Sequence, residues 1–143
     1  VTRDPSMNQT VSPQTALIYL MVTTSAADAD MTDRELMTMG DIVRMLPVFH
    51  GFDVDQLATT AEECAPLLNK EDGLDEVLDV VSESLPERLH ETAYAICCDI
   101  VAADGNADQE ELRILEIIRH RLDVDRLAAA GIERGARARH NSL

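Results

Sequence analysis

Apolar residues recur three and four positions apart along almost the whole chain, and no sustained apolar/polar alternation interrupts them. That period belongs to helices with one buried face and argues against a sheet. Punctuation divides the pattern into about seven helices. Ser12 and Pro13 open the first, whose stripe is Ala16, Leu17, Leu20, Met21 and Ala27. Thr32 with Glu35 three residues on is a capping box for the second, and Pro47 ends it. Asp53 with Gln56 begins the third, which carries Leu57, Ala58, Ala61, Ala65 and Leu68 up to Gly73. The fourth is built on Leu74, Val77, Leu78, Val81 and Leu85, and the fifth on Leu89, Ala93, Ile96, Cys97 and Ile100. Asp108 with Glu111 starts the sixth, facing inward through Leu112, Leu115, Ile118 and Leu122, and Asp123 or Asp125 caps a last helix to about Ala130.

Short connections between such helices make an all-α, antiparallel bundle. The chain has 143 residues, of which 45% are hydrophobic, enough for one buried core; with aromatics at only 3%, that core is aliphatic. Residues 12–130 are expected to form the domain, 1–11 a disordered N-terminal segment and 131–143 a flexible basic tail.

Two segments repeat. Ala26-Ala-Asp-Ala-Asp-Met-Thr-Asp-Arg-Glu-Leu36 aligns without gaps with Ala102-Ala-Asp-Gly-Asn-Ala-Asp-Gln-Glu-Glu-Leu112, and Phe52-Asp-Val-Asp-Gln-Leu57 recurs as Leu122-Asp-Val-Asp-Arg-Leu127. Two diverged helix-loop-helix halves, related by a rough twofold axis, explain both matches. Each acidic motif places a carboxylate just after one helix (Asp28, Asp104), an acid or amide two residues on (Asp30, Asn106) and a glutamate on the first turn of the next (Glu35, Glu111). Capping accounts for Thr32, Asp108 and the two glutamates. It accounts less easily for Asp28 and Asp104, which sit where the helix dipole is already negative. A divalent cation would relieve them, because calcium and magnesium are bound by carboxylate, amide and carbonyl oxygens. Capping and ion binding both remain open, with Asp28, Asp30, Glu35, Asp104, Asn106, Asp108 and Glu111 as candidate ligands. The loop lacks the twelve-residue pattern of an EF-hand. Glu35 and Glu111 cannot fully serve as cap partner and ligand at once, and Gly105, able to take a positive φ, makes the second motif the better formed.

These motifs, together with the apolar helix before the second and Ile117-Ile-Arg-His-Arg-Leu-Asp-Val124 after it, resemble the TerB-like family over about Ala16 to Ala130. A similar domain begins some membrane-anchored DnaJ-type co-chaperones. The resemblance implies a compact all-α domain without catalytic activity, a link to tellurite resistance and stress responses, and a divalent metal, calcium or magnesium favoured, at the acidic helix starts. Asp28-Ala29 in the first copy departs from the family's Asp-Gly.

A formal charge of −15, from 27 acidic and 12 basic side chains, repels phosphate backbones and anionic lipid, so nucleic acid is not an expected partner. Cations and basic protein surfaces are, including those of a membrane-associated protein. The alternative to ion binding is accordingly an acidic protein-interaction module without metal. The absence of a signal-like N-terminus and of any apolar run near the roughly 18 residues of a span gives the expectation of a cytoplasmic protein without membrane insertion. Cys64, Cys97 and Cys98 fit a reducing compartment. No nucleophile elbow, P-loop or zinc spacing occurs, and no enzyme is expected.

Overall fold

The computed structural model describes residues 10–25, 32–105 and 107–143. Seven α-helices carry the described fold: α1 (Pro13–Ser25), α2 (Asp33–Met45), α3 (Leu57–Leu68), α4 (Gly73–Ser84), α5 (His90–Ala103), α6 (Gln109–Arg121) and α7 (Arg126–Arg139). Short 3₁₀ turns at Pro47–Phe49 and Val54–Gln56 lie between α2 and α3 and a third at Glu87–Leu89 between α4 and α5, and no strand occurs among the described residues. The all-α bundle read from periodicity is the observed architecture.

Its centre is α1. This helix contains no charged residue, and every side chain from Ala16 to Thr24 is buried, so it is enclosed on all sides by α2, α3, α4, α5 and α6. The stripe expected from sequence was too narrow, because a helix apolar all round has no face to give to water. Thr23 and Thr24 are tolerated there because their hydroxyls donate back along the helix, to the carbonyls of Tyr19 at 2.8 Å and Leu20 at 2.9 Å.

Around α1, the helix starts follow the acidic punctuation. Thr32 and Glu35 form the full capping box on α2. Asp108 accepts from the Glu111 N–H at 2.8 Å on α6, and Asp125 accepts from Leu127 and Ala128 on α7. Asp53 caps the 3₁₀ turn ahead of α3 rather than α3 itself. Both halves thus run helix, acidic motif, capped helix and a further acid-capped start, an order consistent with the repeat. Asp123 adopts a φ of 52°, a left-handed residue that stops α6 just before Asp125 starts α7. Within the second half, His90 at the start of α5 is tied to the end of α6, its ring hydrogen-bonding the Leu122 carbonyl at 2.9 Å.

The last helix corrects the expected boundary. Residues 131–139, anticipated as part of a flexible tail, continue α7 to Arg139 and pack on α5. The reason is a second stripe of small residues. Ala129 and Ala136 are buried, with Ala128 and Ile132 packed beside them, and small side chains bring the two helix axes close. Tyr94 donates to Glu133 at 2.7 Å, and Arg139 pairs with Asp99 at 2.6 Å, fastening the C-terminal turn. The segment expected to be disordered at 1–11 lies outside the described residues up to position 9. Leu112 and Ala58, expected inward, are exposed, whereas Cys64 and Tyr94 fill the core instead.

Candidate functional site

The ends of α1 and α5 and the beginnings of α2 and α6 meet around one cavity of about 240 Å³. Glu35 comes to it from the first motif, Asp104 and Glu111 from the second. The two motifs therefore share one space. Asp108, the fourth described candidate, is not among the lining residues and works as the α6 cap. Asp28, Asp30 and Asn106 lie outside the described residues.

Local backbone geometry puts each acid in place. Asp104 closes the C-terminal end of α5, and Gly105 follows with a φ of 79°, the left-handed turn that glycine makes without strain. Glu35 stands at the third position of α2, where the capping box clamps it. Its Oε1 accepts from the Thr32 hydroxyl at 2.9 Å and from the Thr32 N–H at 3.4 Å. Its Oε2 is buried and has no hydrogen-bond partner among the described residues. The capping box thus occupies Oε1 of Glu35 and leaves Oε2 uncommitted among the described residues.

Electrostatics add a second sign of strain. Burial pushes the Glu111 carboxyl above the usual carboxylate range; a backbone hydrogen bond at Asp108 pulls it down, and the charges of Asp108 and Asp104 push it up again. A carboxylate crowded by carboxylates is relieved by a cation. Sequence reasoning missed the remaining lining groups. Ser25 and Thr38 spend their hydroxyl hydrogens on the carbonyls of Met21 and Arg34, which leaves their oxygens as acceptors at the cavity. Arg34 is the one basic residue on the wall among those described. Thr38, three residues beyond Glu35, could have been placed on the same helical face from spacing alone.

The acids are not gathered into a tight cage. Among the described residues, no three His, Cys, Asp or Glu side chains stand close enough together to hold an ion directly. A cavity of this size instead has room for several waters, each occupying about 30 Å³ in the liquid.

The family model of tellurite resistance protein TerB matches residues 14–134, from the second residue of α1 to the middle of α7. The chain belongs to the TerB family. No curated protein and no solved structure matches it. The TerB match spans both acidic motifs, the shared cavity and α7 as far as Arg134, so the first residues of the segment expected as a tail, 131–134, are part of the family domain. No helix among the described residues of this TerB chain is long and apolar enough to cross a membrane.

The three cysteines stand apart from this site. All are free and buried, and burial pushes the thiols of Cys64 and Cys98 up to about 12 and that of Cys97 higher still. Iodoacetamide at pH 8 should accordingly leave the native chain unmodified and alkylate three thiols in denaturant, as counted by intact mass. Modification of the native protein would show that a thiol is open to solvent.

Proposed function

We propose that this TerB chain is a non-enzymatic tellurite-resistance module that binds one hydrated divalent cation, calcium or magnesium favoured, in the cavity between its two acidic motifs. The Oε2 of Glu35, buried and without a partner among the described residues, carries the reading, because a buried carboxylate oxygen without a donor is costly unless a cation meets it. Glu35, Asp104 and Glu111 would supply the charge, and the spacing of the acids favours an ion that keeps part of its water shell, as magnesium does readily. The ion would supply charge neutralisation and a bridge between helix ends. The protein's own residues hold the α2 and α6 starts in register.

Binding to the folded state alone raises stability by mass action, so an ion at about 100 times its Kd should add about 2.7 kcal/mol and raise the Tm by roughly 8 °C. Glu35→Gln and Asp104→Asn should each abolish the shift, whereas Glu71→Gln, outside the cavity, should retain it. No shift with calcium, magnesium, manganese or zinc would dismiss the ion. A second reading, an acidic surface that docks a basic protein partner without metal, draws on the exposure of Met37 and Met45, at 66% and 79%, on α2. Capture of that partner would then survive chelator and fail on charge reversal of surface acids.

A further inference from the structure

A second cavity, of about 380 Å³, opens between α5, α6 and α7, and its size lies within the range of small-molecule pockets. Its walls are mostly apolar. Val101, Leu115 and Ala136 are buried there, and Leu112, 52% exposed, stands at the rim. That exposure gives the misplaced Leu112 a surface to share with a ligand.

The polar groups are few and unequally occupied. Tyr94 already donates to Glu133, so that carboxylate has a partner. Arg119 reaches the Val124 carbonyl at 3.4 Å and the ring of His120 at 3.1 Å. Arg137 takes part in no ion pair among the described residues, whereas Arg139, on the same helix, is held by Asp99. Its guanidinium is a planar fork that matches a carboxylate.

The charged groups of the lining, Arg119 and Arg137 against Glu116 and Glu133, balance one another on an acidic molecule, and all four belong to a C-terminal segment that is basic as a whole. Residues 113–139 hold seven of the 12 basic side chains and only four of the 27 acids. An anion repelled by the remaining surface is admitted at this face. Glu116 shares the rim, so the mouth suits a single negative charge better than a dianion. We infer that the α5–α6–α7 cavity binds a small amphipathic carboxylate, its apolar body against Val101, Leu112, Leu115 and Ala136 and its carboxylate on Arg137, with Arg119 as the second cation.

Decanoate is the probe, titrated into the full chain and followed by calorimetry and by the NMR shifts of the Leu112 and Ala136 methyl groups. Decylamine and decanol serve as chain-matched controls, and vesicles containing an anionic phospholipid present the same chemistry in a membrane. Saturable decanoate binding that moves both methyl signals is the expected result. Arg137→Glu, at an exposed position, should keep the melting temperature and weaken decanoate by about ten-fold or more. Absence of decanoate binding, equal or stronger binding of either control, an unchanged affinity in Arg137→Glu, or binding to vesicles alone would each overturn the inference.

Discussion

Leu17→Ala should lower the free energy of unfolding by about 4 kcal/mol, seen in urea as a lower midpoint with an unchanged slope. Leu17 is fully buried at the centre of α1, and α1 is itself enclosed by five other helices. Loss of the isopropyl end of the side chain therefore removes its transfer energy and leaves a void that rigid helices on several sides cannot close. Domains are stable by only about 5–15 kcal/mol, so the variant should lose a large part of its margin. A loss below about 1 kcal/mol would mean that α1 is not the centre of the core.

Gly73→Ala should cost about 3 kcal/mol, although the same exchange at an ordinary helical site is stabilising. A Cβ at Gly73 would lie 2.3 Å from the Leu67 carbonyl oxygen and 2.6 Å from that of Leu68. Both obstacles are backbone at the end of α3, which cannot swing aside as a side chain can. The start of α4 would have to move away from α3. Gly131→Ala is the matched control, since a Cβ there meets nothing within 4 Å on the helical turn of α7, and it should gain about 0.5–1 kcal/mol. Equal effects at the two glycines, measured by thermal or urea unfolding, would refute the close approach of α3 and α4.

Much of this molecule is written in local chemistry. Thr32, Glu35, Asp108, Pro47 and Gly105 act through neighbours within four residues, so their roles as caps, stops and turns could be read before any packing was known. The burial of α1 on every side was also legible in its lack of any charged residue, a stronger sign than the spacing of its leucines. The extent of α7 was not. Gly131 and Gly135 weaken its intrinsic preference for helix, and it is packing of Ala129 and Ala136 on α5, distant in sequence, that settles the matter. The acidic motifs were visible as a repeat, and Glu35, Asp104 and Glu111 could be named. Their convergence on one cavity could not, because it depends on α1 and α5 ending side by side.

The central place of α1 also sets an order of events during folding. This segment is made before all of its partners, and the surfaces that cover it belong to helices as far along the chain as α5 and α6. Until residues near 121 have left the ribosome, an uncharged apolar helix lacks part of its native cover and is a natural target for holding chaperones. Closing such long loops also raises the contact order above that of a simple up-and-down bundle, so this chain should fold more slowly than its all-helical content suggests.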